Sequence, residues 1–436
     1  MKKSLLVLLL TLILSSNIFA KVLTLDEAKK LVLENNSLIK AYEMEAKSAK
    51  YKKYQAYGAY LPKLNISETY MRSDEPATAA FAKMAQGRFD MQYFATQLKN
   101  PENVTNFETK VEIIQPIFMN GKIFFGIKQA KELEKASEYK LSRVKDNVLF
   151  NTYRSFYAVG LSKKALDVTK KSLERTKRYY EMAQDFYKNG MIVKSDLLVA
   201  ESYLLMNEAA IKDAEKQVEV SKSYLQRLLN VDEDVDIIWS ETDINLDRSL
   251  DDYIKLALAN REDLKAYKHY LKINDYEVKK AKSSFLPEVA LFANYKQNDD
   301  KIFGDAGTGF TVGAYAKLNL FNGFSDYNKV RESKSNYLSL LNKIADLKFQ
   351  IKSEVKEAYY SLKASEKKLE AAKKQVEKAY EALKITENRF KEGLAKVTEL
   401  LDREVEVKEA ELRLLMAEYS LIVDKAKLMF AIGMIK

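Results

Sequence analysis

Few residues of this 436-residue chain have the types and spacings that could do chemistry. Glu399 and Asp402 lie three apart and so share one helix face. On its own such a pair is a solvated face rather than a site. His269 is the only histidine and there is no cysteine, so a transition-metal site is poorly supplied. No nucleophile–histidine arrangement can be assembled around one histidine on a helix, and His269 reads as a helix-surface residue. Gly304, Gly307 and Gly309 fall in a loop between strands with no Gly-Lys-Ser/Thr after them, which excludes a phosphate-cradling loop. The 27 tyrosines are spread along helices as packing and groove residues rather than gathered as a catalytic set. The chain therefore reads as a non-enzyme with no metal and no cofactor.

The elements around these residues are those of an exported protein. Lys2 and Lys3 precede an apolar run from Leu5 to Leu14, and small residues lead to Ala20. The run is too short to span a bilayer, so residues 1–20 are expected to be a cleaved signal peptide. Without cysteine there is no disulfide framework and no lipid-bearing cysteine after the signal. Nothing after residue 20 is apolar enough for a transmembrane helix, which leaves a periplasmic, secreted or outer-membrane β-barrel protein. The 72 basic and 62 acidic residues are interleaved, giving +10 overall. Interleaving reads as solvated helix faces, not a nucleic-acid surface. Thirteen glycines and five prolines are few for an all-β chain and suit long helices.

The mature chain is two copies of one unit. Shifted by 225 residues, Leu25–Glu75 overlays Leu250–Asp300 without a gap: Lys40-Ala41-Tyr42 meets Lys265-Ala266-Tyr267, and Leu61-Pro62 meets Leu286-Pro287. Further on the offset falls to 202 at Asn120-Gly121 against Asn322-Gly323, and is 203 at Gly190 against Gly393. The first copy thus spans 21–230, with an insertion at about 75–107. An acidic linker at 231–249 carries the only tryptophan, Trp239, and the second copy spans 250–436.

Each copy predicts the same order. A first helix runs from Leu25 to about Tyr60, or from Leu250 to Phe285, and ends at Pro62 or Pro287. Two strands follow, at about 63–72 and 108–118 in copy one and 288–296 and 310–320 in copy two. Phe310, Val312, Ala314, Ala316, Leu318 and Leu320 alternate with polar or small residues, the period of a strand with one oily face. Strand turns into helix at Gly121 and Gly323. About 70 residues, near 100 Å of helix, then run to a break at Gly190 or Gly393, and a returning helix follows of about 40 residues, near 60 Å. Leu197, Leu204, Ile211, Val218 and Leu225 recur every seven residues, as do Leu400, Val407, Leu414, Leu421 and Leu428, which predicts left-handed supercoiled packing.

Four strands per chain cannot close a barrel, and in a bilayer every strand edge must be paired. If these strands enter a membrane, several chains must share one barrel: two would give eight strands and three would give twelve. The alternative is a small sheet capping a periplasmic helical rod. The insertion, with Phe81, Met84, Phe89, Met91, Tyr93 and Phe94, reads as a folded loop beyond the strands with a short amphipathic helix.

The duplicated helix–strand–strand–helix order resembles TolC-type outer membrane efflux proteins. So do the Leu-Pro helix ends, Gln115-Pro116-Ile117-Phe118-Met119-Asn120-Gly121 before the long helix, and Asn388-Arg389-Phe390-Lys391-Glu392-Gly393-Leu394 before Leu400-Leu401-Asp402. The resemblance covers nearly the whole mature chain. It implies a mainly α fold with a small β part. In a homotrimer, coiled-coil helices form an α-helical barrel across the periplasm and twelve strands form one barrel in outer-membrane lipid. It implies a passive exit duct for efflux or type I secretion, driven by an inner-membrane pump through a periplasmic adaptor. The runner-up is a periplasmic coiled-coil scaffold or adaptor with no membrane barrel.

Within that resemblance, Gly190-Met191 and Gly393-Leu394 match the periplasmic tips that adaptors grip. Glu399, Asp402 and Asp196 match carboxylates of the closed entrance, which select for cations. Some members carry a tyrosine and an arginine near the second tip. Here Phe390 and Ala395 occupy those places, Asp196 keeps the acid, and Lys396 is adjacent.

Overall fold

The computed structural model describes residues 21–240 and 244–435; the expected signal peptide lies outside them. In chain order the first copy comprises β1 (Lys21–Leu23), α1 (Leu25–Asn35), α2 (Ser37–Gly58), β2 (Lys63–Ser73), α3 (Pro76–Ala85), α4 (Met91–Thr96), β3 (Val104–Met119), α5 (Lys122–Lys188) and α6 (Lys194–Leu229). The linker holds β4 (Val235–Ile237). The second copy comprises α7 (Leu250–Asn260), α8 (Glu262–Ser283), β5 (Glu288–Asp299), β6 (Gly307–Lys317), α9 (Ser325–Lys391) and α10 (Val397–Ala431). The fold is mostly helical with a few strands, as the sequence predicts. Among the described residues, no helix is long and apolar enough to cross a membrane.

The first helix of each copy is two helices, not one. The breaks fall at Asn36 and Arg261, positions that overlay in the 225-residue repeat. Asn36 leaves the helical region with ψ 123°. Its Oδ1 accepts from the amides of Leu38 (3.0 Å) and Ile39 (3.3 Å), restarting the helix as a cap does. Arg261 turns in the same way and is 3% exposed, ion-paired with Asp263 at 2.5 Å and with Glu354. Pro62 and Pro287 stand one residue before their strands, and the helices end earlier, at Gly58 and Ser283. Tight amide–carbonyl bonds such as Tyr60 to Tyr57 (3.0 Å) and Leu61 to Gly58 (3.0 Å) close that turn.

The chain divides into two compact units. The first comprises the described residues of Met1–Met44, Tyr139–Lys265 and Ala345–Lys436. One core in it gathers Leu23, Ala28, Val32, Phe156, Tyr157 and Leu229, among others. The linker is part of this core: β4 pairs in parallel with β1, and Trp239 lies edge-on to Tyr157 with ring centroids 5.1 Å apart. Lys164 sits 4.0 Å over the same indole. In the returning helices the heptad is buried at Val218, Leu225, Leu400, Val407 and Leu428, and the small residues Ala200, Ser221, Ala410 and Ala417 are buried beside it.

The second unit comprises Glu45–Glu138 and Ala266–Ile344. It holds one antiparallel sheet in the order β2-β3-β5-β6, so β2 and β6 are open edges. One face carries Leu64, Ile66, Tyr70, Phe107, Val111, Leu291, Ala293, Tyr295, Phe310 and Val312; the other carries Asn65, Ser67, Lys110, Glu112, Asn294, Lys296 and Thr311. The apolar face is bare: Ile66 is 71% and Phe310 80% exposed. β6 starts earlier than the alternation suggests and ends at Lys317, leaving Leu318 and Leu320 beyond it. Gly307 and Gly309 are therefore strand residues, not loop.

The insertion in the first copy folds as α3 and α4. Ala79, Ala82 and Val104 pack together beneath it. Arg88 ties it to the far hairpin through Asp299 (2.8 Å) and Asp300 (2.7 Å), and the Gln86 side-chain amide donates to the Thr105 carbonyl at 2.7 Å. Gly121 and Gly323 make the strand-to-helix turns with φ of +77° and +55°. His269 is half-buried rather than freely exposed: its side chain is 13% exposed and its Nδ1 lies 2.5 Å from Glu132.

Candidate functional site

Both helical hairpins of the first unit turn by the same device. Gly190 has φ +71° and Gly393 +70°, values a glycine adopts without a Cβ penalty. The Gly190 amide donates to the Tyr187 carbonyl (3.0 Å) and the Met191 amide to that of Phe186 (2.8 Å). Gly393 and Leu394 repeat these bonds to Phe390 (2.9 Å) and Arg389 (2.8 Å). This nested pair is the Schellman end, which satisfies carbonyls a helix terminus would leave orphaned. Arg389 adds a hydrogen bond from its guanidinium to the Leu394 carbonyl at 3.1 Å. The residues after the glycines are apolar yet bare: Met191 is 57% and Leu394 69% exposed.

Beneath the turns lies a second core of Tyr179, Ala183, Ala200, Leu383, Phe390, Val397, Leu400, Leu401 and Val407. Phe390 is 1% exposed and stacks on Phe186 at 5.0 Å. It is a packing residue with no polar handle, and Ala395 packs against the same core. Neither can supply the hydrogen bonds of a tyrosine–arginine latch.

Of the three singled-out carboxylates, Asp196 and Glu399 occupy equivalent places in the first turns of α6 and α10, where the helix dipole favours an anion. Glu399 is exposed and Asp196 half-buried. Asp402 is held: the Tyr203 hydroxyl donates to it at 2.7 Å, joining α6 to α10. That bond to the carboxylate holds the Tyr203 hydroxyl above its ordinary pKa. Among the described residues of one chain, no three acidic or histidine side chains gather as a metal site.

Sequence reasoning missed a polar cluster on the same helices. Glu404 of α10 is 1% exposed and accepts from Arg175 Nε at 2.7 Å; Arg175 also reaches Glu411 at 3.3 Å. The Tyr380 hydroxyl of α9 donates to Glu411 at 2.6 Å. Burial pushes the Glu404 carboxyl up against the opposing pull of Arg175, and the net direction is up. Burial, the largest single influence, disfavours the Arg175 charge, but the hydrogen bond to Glu404 and the pull of Glu404, Tyr380 and Glu411 together outweigh it and its pKa rises. Beside this cluster, buried Asn207 donates to Thr176 (3.0 Å) and accepts from Lys408 (2.8 Å). These bonds join α5, α6, α9 and α10. A signal for Glu404 existed: it lies four residues after Leu400 and three before Val407, on the apolar stripe.

A sheet with one apolar face, carried on a chain of duplicated long hairpins, is the build of an outer-membrane channel. The outer membrane efflux protein family model matches residues 29–231 and 253–434, one segment in each copy. The chain belongs to the outer membrane efflux protein family. Its fold is that of solved channels: CusC, studied for its folding and transmembrane channel formation, superposes with a TM-score of 0.81 at 14% identity, over 94% of this chain and 92% of that one. The Campylobacter jejuni outer membrane channel CmeC gives 0.79 at 17% identity over 94% and 85%. The Vibrio cholerae outer membrane protein VceC gives 0.77 at 17% over 94% and 96%. No curated protein sequence matches the chain. Family membership displaces the scaffold or adaptor alternative.

Proposed function

We propose that this protein is the passive exit duct of a tripartite efflux or type I secretion machine. Three copies share one twelve-stranded barrel in the outer membrane, and their paired hairpins form a helical tunnel across the periplasm. A periplasmic adaptor grips the tips at Gly190-Met191 and Gly393-Leu394 and couples the duct to an inner-membrane pump, which supplies the energy. Glu399, Asp402 and Asp196 of three chains form an acidic entrance that selects for cations. Repulsion among so many carboxylates favours opening or a bound cation.

The observation that carries this reading is the sheet. Its apolar face is bare and its edges β2 and β6 are unpaired, a state no bilayer tolerates in a single chain. Strands of 11, 16, 12 and 11 residues are long enough to cross the membrane, which needs about 9–11. The test is fractionation followed by planar-bilayer recording. The expected result is a heat-resistant oligomer in the outer membrane with single-channel conductance. A periplasmic monomer that conducts nothing would overturn the proposal.

A further inference from the structure

Trp239 of the linker is seated against α5 at Gly160, where a Cβ would collide with the indole. Tyr157 meets the ring edge-on and Lys164 lies over it. Held in this way, the indole forms one wall of a cavity of about 390 Å³ within the first unit. Leu421 and Ile422 of α10 and Leu369 of α9 supply the rest of its apolar lining. A cavity of that size is in the range that takes a small organic ligand.

The charges around this cavity do not balance. Three lysines line it, one from each of three helices: Lys164 of α5, Lys373 of α9 and Lys425 of α10. Glu418 is the one carboxylate among its lining residues, and it pairs with Lys164 at 3.6 Å. Among the described residues, no carboxylate pairs with Lys373 or Lys425. Elsewhere on α9 lysines are paired along the helix, Lys363 with Glu366 at 3.0 Å and Lys378 with Glu381 at 3.1 Å. Lys425 has no such choice. The residues three and four away from it on α10 are Leu421, Ile422, Leu428 and Met429, all apolar. Lys425 is half-buried, and an ammonium in such a place costs stability unless an anion meets it. A solvated helix face carries its acids beside its bases, whereas here the bases converge from three helices on an indole and an aliphatic floor.

We propose that this cavity binds a small anionic amphiphile: a carboxylate, sulfate or sulfonate on an apolar body of roughly ten to fifteen heavy atoms. The anionic head meets Lys373 and Lys425, and the body lies on Trp239, Leu421 and Ile422. Only such a molecule uses both parts of the lining. A free small anion leaves the indole bare, a neutral amphiphile leaves the lysines unpaired, and a cationic one is repelled. Binding ties the linker and α5 to α9 and α10, and stabilises the fold by mass action. Every residue of the site lies in one unit of one chain, so it stands apart from the duct reading.

Trp239 is the only tryptophan, so its emission reports this cavity alone. The experiment titrates the purified protein, in a neutral detergent, with octanoate and separately with octylammonium, octanol and acetate. Equilibrium dialysis of radiolabelled octanoate is read in parallel and detects a complex that leaves the emission unchanged. The expected result is saturable octanoate binding, with the other three ligands at least about ten-fold weaker. Lys373→Gln with Lys425→Gln should weaken octanoate by about ten-fold or more while helical circular dichroism stays that of the parent. If the double variant does not fold, Lys373→Glu, at an exposed position, gives the same reading. Octanol binding as well as octanoate, lysine variants titrating like the parent, or no saturable octanoate binding by either readout each overturns the site. So does a hexaglutamate peptide that binds where octanoate does not, since the groove would then seat an acidic protein segment. None of these outcomes touches the channel conductance that tests the duct.

Discussion

The Arg175 guanidinium donates to Glu404 at 2.7 Å, and the carboxylate that receives it is 1% exposed. The pair joins α5 to α10, and through Glu411 and Tyr380 it reaches α9, so two hairpins of the chain are held by one arginine. An ion pair so placed is not a large source of stability, because two charges were taken out of water to form it. Losing one partner is a different matter, since the other is left buried and unpaired.

Arg175→Met is therefore expected to destabilise the protein by about 3–5 kcal/mol at neutral pH. The loss should shrink as pH falls. Glu404 already has a raised pKa, and removing the arginine that opposes the rise sends it higher. An acid whose folded pKa is raised destabilises the fold above that pKa and ceases to as it protonates below it. Thermal unfolding of the detergent-solubilised protein, followed by helical circular dichroism from pH 8 to pH 5, checks this. A deficit independent of pH would show that the loss is packing rather than charge.

Asp146 gives a second pH dependence with the same sign. Burial raises its carboxyl to about 6, only partly countered by Arg143. It is ionised in folded and unfolded chains above pH 6 and neutral in both below about pH 4. Its cost to the fold is present above 6 and gone below 4. Asp146→Asn is expected to stabilise by about 1–2 kcal/mol at pH 8 and by nothing at pH 4. That is less than the full value of a two-unit shift, because part of the group stays wetted. Unfolding midpoints at the two pH values decide it.

The duplication, the strand faces and the tip glycines were legible in the sequence because each rests on a local rule. Period-two alternation gives the face of β6, and a helix break needing positive φ gives Gly190 and Gly393. The breaks at Asn36 and Arg261 were not legible. Neither site has a proline or glycine, and beside their local bonds to Leu38, Ile39 and Asp263 the two turns are tied to distant partners that no local pattern reveals, the Leu228 carbonyl for Asn36 and Glu354 for Arg261. β4 hid inside an acidic linker because three residues carry no periodicity and its partner β1 lies some two hundred residues earlier. His269 misread for the same reason, since its burial depends on Glu132 of another helix. Glu404 could have been found on its stripe, but only the structure supplies Arg175.

The proposed acidic entrance predicts a functional separation between Asp402 and its hydrogen-bond partner. Glu399→Gln with Asp402→Asn removes six charges from a trimer. It should raise the multivalent-cation concentration that half-blocks the channel by roughly ten-fold or more, at about 1 kcal/mol per lost close charge contact. Tyr203→Phe deletes the bond to Asp402 and keeps its charge, so block should persist. Single-channel recordings with a trivalent cation on the tip side make the comparison. Equal block in parent and double variant would remove these carboxylates from the entrance.

The tips predict that binding and folding separate at neighbouring residues. Leu394 is 69% exposed, makes its turn through its backbone and has little side-chain packing to lose. Leu394→Asp should leave the unfolding midpoint and conductance within error while weakening adaptor binding at least ten-fold, because an interface built on that apolar side chain would have to bury an unpaired carboxylate. Gly393→Val acts on the fold instead. At φ +70° a β-branched residue is strained by about 1–2 kcal/mol, so the midpoint should fall. Met191→Asp repeats the first test at the other tip. Binding of the cognate adaptor to immobilised protein, read beside the unfolding midpoint, separates the two. If Leu394→Asp and Met191→Asp both bind like the parent, the adaptor does not grip these turns.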